Sequence, residues 1–94
     1  MLKTTQVVAT SETVTVDLSS NGKECVVILS LEDGIYYEIQ GIGARFWNMV
    51  QSPLPFGELL DTILHEYDVE AERCKADLIA LIKDLQSRKL VEIR

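Results

Sequence analysis

Three short stretches in the first forty residues show the hydrophobic pattern of β-strands. From position 14 to 18, apolar and polar residues alternate, which predicts a strand with one buried face. Cys25–Leu31 is almost wholly apolar and β-branched, as in a central strand. The turn pairs Asn21-Gly22 and Asp33-Gly34 precede this stretch and the next one, Ile35–Ile39. We therefore predict an antiparallel meander with Cys25–Leu31 in the middle and Ile35–Ile39 at an outer edge. The apolar members of the first strand are Val14, Val16 and Leu18.

Helical spacing begins after this sheet. Ala44–Val50 predicts a short helix, which ends at the Ser-Pro-Leu-Pro segment 52–55 because proline cannot continue the hydrogen-bond ladder. Phe56–Tyr67 predicts a second helix, and Val69–Lys89 predicts a third and longer one. Asp68 is the expected N-cap of the third helix. The apolar face of that helix consists of five residues, which are Cys74, Leu78, Leu81, Ile82 and Leu85.

The two ends of the chain carry weaker patterns. Residues 1–12 show little beyond Val7-Val8, which leaves either a frayed end or a short extra strand open, and residues 90–93 suit a brief strand or an extended tail. Three strands followed by three helices predict an α+β fold with a winged helix-turn-helix outline. We expect one domain over residues 1–94.

The charge of the chain narrows the classes of partner. Its net charge is −6 with a sequence pI near 4.6, which disfavours general binding to nucleic acid and adhesion to anionic lipid. On the third helix, lysines and arginines are interspersed with carboxylates, so the helix lacks the basic face that recognises DNA. A winged-helix DNA-binding regulator stays as an alternative by analogy of fold only. No apolar run is long enough to span a bilayer and the N-terminus does not have the pattern of a secretory signal, so we expect a cytoplasmic protein without a membrane partner.

No residue pattern predicts catalysis, a metal site or a cofactor. His65 is the single histidine, and the cysteines Cys25 and Cys74 are neither close to it in sequence nor spaced as metal ligands. Gly41 and Gly43 form a GxG pair without the surrounding βαβ unit of a nucleotide site, and are better explained by a sharp turn between strand and helix. The chain is expected not to be an enzyme.

The aromatic residues divide into two groups. Phe46 and Trp47 lie at helical spacing and are expected in the core. Tyr36 and Tyr37 alternate on the edge strand, so one of them faces away from the main packing of the sheet. An exposed tyrosine beside an unpaired strand edge suits an extended peptide, which can pair with the free backbone groups.

Four segments of the chain resemble the PqqD family, the peptide chaperones of pyrroloquinoline-quinone biosynthesis, and the related leader-peptide recognition elements of ribosomally made, modified peptides. The segments are DGIYYEI at 33–39, GARFW at 43–47, EYDV at 66–69 and DLIALIKDLQSRKLVEI at 77–93. Two positions depart from the pattern, since Gln40 stands where many members have Asn and Lys89 where many have Gly.

The resemblance implies a protein that binds the leader of a precursor peptide. A free-standing chain of this size is most similar to the recognition proteins of lasso-peptide biosynthesis. Such a protein presents the precursor to a transglutaminase-like cysteine peptidase, which removes the leader before a cyclase closes the ring. A PqqD-type chaperone or subunit for a radical-SAM or other modifying enzyme is the alternative.

The implied leader site combines the edge strand with the third helix. The leader would pair with the strand antiparallel, and its alternate side chains would enter a groove between strand and helix. Asp77 and Asp84 are expected to attract basic leader residues. The strand contributes Ile35, Tyr36, Tyr37, Glu38 and Ile39, and the helix contributes Cys74, Asp77, Leu78, Leu81, Ile82, Asp84 and Leu85.

Overall fold

The computed structural model describes all residues from 1 to 94 and contains six strands and three helices. Three strands form an antiparallel sheet in the order β2-β3-β4, which we call the hairpin sheet. The chain ends form a second sheet in the order β5-β1-β6, which we call the terminal sheet. In chain order the elements are β1 Gln6–Ala9, β2 Thr13–Asp17, β3 Cys25–Ser30, β4 Tyr36–Gln40, α1 Ile42–Met49, β5 Leu54–Pro55, α2 Phe56–Glu66, α3 Ala71–Ser87 and β6 Val91–Ile93.

The hairpin sheet confirms the predicted meander. β3 lies in the middle, with Thr15 of β2 and Tyr37 of β4 both opposite its Ile28. Asn21 and Gly22 have φ angles of 52° and 77°, the conformation that a tight β-hairpin turn requires of both central residues. The register is consequently set by the turns as well as by the buried side chains.

The facing of β2 is the reverse of the prediction. Val14 and Val16 are 48% and 52% exposed on the outside of the sheet, whereas Thr13 and Thr15 point toward the helices. The buried indole N–H of Trp47 donates to the Thr15 hydroxyl at 2.8 Å. A buried polar group needs a partner, so the polar face of β2 turns inward and supplies one.

The terminal sheet settles both open questions about the chain ends. Val7 lies opposite Ile93 on one side and Leu54 on the other, so β1 joins the C-terminus to the connection between α1 and α2. The Ser-Pro-Leu-Pro segment was expected only to end a helix. It also provides the two-residue strand β5.

The bounds of α3 differ from the predicted ones at both ends. Asp68 is not the N-cap; Glu70 is, and its carboxylate accepts the Arg73 N–H at 2.7 Å. Tyr67 has an extended backbone with a φ of −122° and ends α2. The connection to α3 therefore continues past Asp68, and α3 begins only at Ala71. At the other end, Lys89 adopts a φ of 61° and ends the helix early. This left-handed conformation favours glycine, which explains why many proteins of the family that the sequence resembles have glycine at the position of Lys89.

The core lies between the hairpin sheet and the three helices. Phe46 and Trp47 are fully buried, as predicted, and pack with Val26 and Ile28 of β3 in a single cluster. None of the helices is long and apolar enough to cross a bilayer.

The bond between Trp47 and Thr15 provides a test of the inverted β2. Thr15→Val keeps the shape of the side chain but leaves the indole N–H without a partner. We expect the free energy of unfolding to fall by about 1–3 kcal/mol, measured by urea denaturation followed by circular dichroism, which serves both backgrounds because Trp47 is the single tryptophan. In a Trp47→Phe background, where no N–H remains, the same substitution should cost much less. Equal costs in both backgrounds would contradict the role given to this bond.

Candidate functional site

The free edge of the hairpin sheet is β4, which pairs with β3 on one side only. The Ser30 N–H donates to the Ile35 carbonyl at 3.0 Å, and the Gly41 N–H donates to the Glu24 carbonyl at 2.9 Å. In an antiparallel ladder, positions bonded in this way alternate with positions whose backbone groups point away. The N–H and C=O groups of residues 36, 38 and 40 therefore face outward, where another extended chain can bond to them.

The side chains of β4 alternate as the sequence predicts. Tyr37 and Ile39 are half-buried against the core, whereas Tyr36 is 69% exposed on the other face of the sheet. Glu38 is also exposed, and its carboxylate accepts a hydrogen bond from the Gln40 amide at 2.7 Å. Ile35 is 49% exposed and precedes the strand, which begins at residue 36.

A groove of about 460 Å³ lies between the start of α1 and the first half of α3. Most of its lining is apolar, and carboxylates and one guanidinium stand among the apolar side chains. Four of the residues predicted from α3 line it: Cys74, Asp77, Leu78 and Leu81. Five further lining residues are not among those predicted from the sequence: Ile42, Gly43, Val69, Glu70 and Arg73.

Gly43 brings the groove and β4 together. A Cβ atom built on this glycine would lie 2.6 Å from Cγ2 of Ile39 and 3.6 Å from Cδ2 of Leu81. Atoms this close leave no room for a side chain, so the first turn of α1 lies directly against both β4 and α3. Ile39 on the strand and Leu81 on the helix are thereby placed on either side of the same backbone segment.

A second contact joins α3 to β4 further along both elements. The Arg88 guanidinium lies 5.3 Å from the centre of the Tyr37 ring, and it pairs with Asp84 at 3.2 Å. Interactions with Tyr37 and then Asp84 raise the pKa of Arg88, which keeps it charged. Asp84 is therefore engaged with Arg88 near Tyr37 and does not line the groove, unlike Asp77.

Four of the predicted site residues belong to the buried core: Cys74, Leu78, Ile82 and Leu85. Cys74 and Leu78 nevertheless line the groove, whereas Ile82, which is fully buried, and Leu85, which is 3% exposed, do not. The Cys74 thiol is lined up with them on α3 but also reaches the groove. Burial, and to a lesser extent the charge of Asp77, raises the pKa of Cys74. The thiol therefore stays protonated near neutral pH and serves as part of the apolar lining.

One of the additional groove residues had a signal in the sequence. Val69 is the only large apolar residue in a polar run, DVEAER at 68–73, and it is 39% exposed at the groove. A hydrophobic residue directly before an N-cap often packs against the first turn of its helix, so its position in the sequence indicates where α3 begins. Gly43 had no such signal, because its importance depends on what lies next to it in space.

The side chains of the chain do not form a group of three or more His, Cys, Asp or Glu positioned to hold a metal ion.

Comparison with known proteins gives two matches that agree with this geometry. A solved structure described as TbiB1 in complex with the TbiA(beta) leader peptide superposes with a TM-score of 0.74 and 25% sequence identity, covering 90% of this chain and 94% of that one. No curated protein sequence matches the chain significantly. The family model for coenzyme PQQ synthesis protein D (PqqD) matches residues 25–91, which include the hairpin strands β3 and β4 and all three helices. The chain therefore belongs to the PqqD family.

Proposed function

We propose that this protein captures the leader of a ribosomally made precursor peptide by adding it as a strand to the free edge of β4. The observation that carries the proposal is the position of an unpaired strand edge beside an apolar groove. Outward N–H and C=O groups at residues 36, 38 and 40 would bond to the leader backbone. Alternate leader side chains would then point toward the groove.

The other edge of the hairpin sheet is a poorer candidate. β2 also has outward backbone groups, at Thr13, Thr15 and Asp17, because β3 occupies only its other side. The cavity next to Thr13, however, is lined almost entirely by polar residues and offers little apolar surface. Backbone bonds alone give little selectivity, so the edge next to the apolar groove is the better leader site.

The similarity to TbiB1 supports the same function. TbiB1 is described as bound to a leader peptide, and it is similar to this chain over nearly its whole length. Burial of two or three apolar leader side chains would contribute ~1.5–3 kcal/mol each. Ordering of a disordered peptide costs ~2–5 kcal/mol. These two contributions leave at most about 7 kcal/mol, so the backbone hydrogen bonds must supply the remainder of the ~8 kcal/mol that a micromolar dissociation constant requires.

Charges around the groove favour a leader that carries basic residues. Asp77 and Glu70 line the groove beside Arg73. The Glu70 carboxylate is already bonded to the Arg73 N–H as the helix cap, which leaves Asp77 as the principal charge available to a bound peptide. We propose that Asp77, more than Asp84, selects basic leader side chains.

The protein itself would not be an enzyme in this scheme. It would act as one recognition domain over residues 1–94 and present the bound precursor to a processing enzyme. The resemblance to the lasso-peptide recognition proteins favours a cysteine leader peptidase as that enzyme, followed by a cyclase. The leader peptide is the first partner to test.

Proline at position 38 tests strand addition directly. The Glu38 N–H faces the free edge, so Glu38→Pro removes no hydrogen bond within the sheet but places the proline ring where the leader backbone would pair. We expect the dissociation constant for a fluorescently labelled leader to rise by about tenfold or more, measured by fluorescence polarisation, while the circular dichroism spectrum is unchanged.

Two further variants make this test specific. Glu38→Ala loses the same side chain but keeps the N–H, so its affinity for the leader should stay close to that of the wild type. Tyr37→Pro removes an N–H that bonds to β3 and is expected to destabilise the fold. Wild-type affinity in a folded Glu38→Pro protein would refute pairing at this edge.

The groove is tested by a pair of substitutions on one helix. Leu81 lines the groove, whereas Ile79 is similarly half-buried but lies outside it. Leu81→Ala and Ile79→Ala should each lower the free energy of unfolding by about 1–2 kcal/mol. Only Leu81→Ala should weaken leader binding, by about tenfold. Equal effects of the two variants in the polarisation assay would show that the groove does not hold leader side chains.

A further inference from the structure

The outer surface of the hairpin sheet, on the side away from the helices, is apolar and uncovered. We call it the outer face, and it consists of Val14, Val16, Leu18, Val27, Leu29 and Tyr36. The strand register places these side chains in three adjacent rows, since Val16 lies opposite Val27 and Leu29 lies opposite both Val14 and Tyr36. Val14, Val16 and Leu18 are about half exposed, and Tyr36 more so.

Exposed apolar residues are concentrated on this sheet. Of the nine large apolar side chains that are exposed in the whole chain, six belong to the hairpin sheet or its adjoining turns. Single exposed apolar residues are ordinary, but a contiguous group on one face is characteristic of a binding surface. β2 contributes to this group because its apolar positions point outward, which leaves them without a role in the core.

The same part of the chain carries most of the net negative charge. Residues 10–40 contain six carboxylates and one lysine, Lys23, which gives −5 of the total −6. Four of those carboxylates are exposed near the outer face: Glu12 and Asp17 at the two ends of β2, Asp33 in the turn before β4, and Glu38 on β4. The outer face thus has an apolar centre and an acidic surround.

We propose that the outer face is the docking surface for the processing enzyme, through a patch with an apolar centre and lysines or arginines at its rim. This proposal rests on the function proposed above for β4 and the groove. A second copy of this chain is a less suitable occupant, because face-to-face stacking would bring two sheets of charge −5 together. A basic partner gains from the same charge.

The outer face and the free edge of β4 can be occupied at the same time. The outer face is the broad surface of the sheet, whereas the leader would bind alongside β4 in the plane of the sheet. A leader strand would also widen the sheet, and its outward side chains would continue the outer face beside Tyr36 and Glu38. An enzyme docked there would contact the domain and its bound substrate together.

The experiment separates enzyme docking from leader binding. The probe is the purified cysteine peptidase that processes the same precursor, and its affinity is measured by biolayer interferometry. Val14→Thr/Val16→Thr keeps β-branched residues in β2 while making its outer row polar. We expect its affinity for the peptidase to fall by about tenfold or more, and its affinity for the labelled leader to stay within about twofold of the wild type. Leu18→Thr lies beyond the end of β2 and is a second variant should the double substitution unfold.

Leu2→Thr is the matched control, since Leu2 is 73% exposed but lies outside the hairpin sheet. This control variant should bind both the leader and the peptidase with wild-type affinity. Separately, the affinity of the wild type for the peptidase should fall as the salt concentration rises, because salt screens the charges. Absence of peptidase binding, wild-type affinity in the folded outer-face variants, or affinity unaffected by salt would overturn the proposal. If sedimentation velocity shows that the wild type is a dimer and that the outer-face variants are monomers, the face would be assigned to a second copy of this chain. If the wild type does not bind the labelled leader at all, the function proposed for β4 would be disproved instead.

Discussion

The contact of α1 with β4 and α3 at Gly43 is the constraint on which the candidate site depends. Because a methyl group on this residue would overlap Ile39, the helix can reach the sheet only where no side chain is present. This close approach brings β4 and α1, which are consecutive in sequence, against the distant helix α3. The free edge of β4 and the apolar groove are neighbours for that reason, and either one without the other would be an ordinary feature of a small α+β protein.

The alternation of hydrogen bonds in the hairpin sheet determines which backbone groups of β4 face outward. β3 uses alternate backbone groups for β2 and for β4, so it has none left over, whereas every second residue of β4 faces outward. An unpaired edge is a hazard for aggregation unless something opposes indiscriminate pairing. Glu38, on the edge strand, and the acidic charge of the surrounding turns provide such opposition. The same charges are compatible with a basic peptide or protein, so protection of the edge and selection of a partner have a common physical origin.

The inversion of β2 connects the core to the outer surface. Trp47 is large enough to fill the space below the sheet, but its N–H must have a partner when it is buried. Thr15 provides the partner only if the polar row of β2 faces inward. The two valines of that strand, Val14 and Val16, then point outward, where they form two of the six residues of the outer face. A hydrogen bond in the core therefore decides the character of a surface on the opposite side of the sheet.

The sequence by itself determined the elements that depend on local chemistry. Alternation of apolar and polar residues identified β2, and an apolar, β-branched run identified β3. Helical spacing identified the helices, the turn pairs identified the hairpins, and alternation separated Tyr36 from Tyr37. The family resemblance indicated the pairing of an edge strand with α3. Apart from the resemblance, which extends over residues 33–93, each of these signals depends on residues within a few positions of one another, where local backbone preference is strong enough to be recognised.

Only the tertiary structure decided the features that depend on distant neighbours. The facing of β2 was set by Trp47, 32 residues away. The start of α3 was set by the extended conformation at Tyr67 and the cap at Glu70, and the terminal sheet was set by pairing between the two chain ends. Ile82 and Leu85 share a helical face with the groove residues, but the depth of each along that face depends on what packs against it. The sequence therefore identified the helix that lines the groove, whereas packing decided which of its residues reach the groove surface.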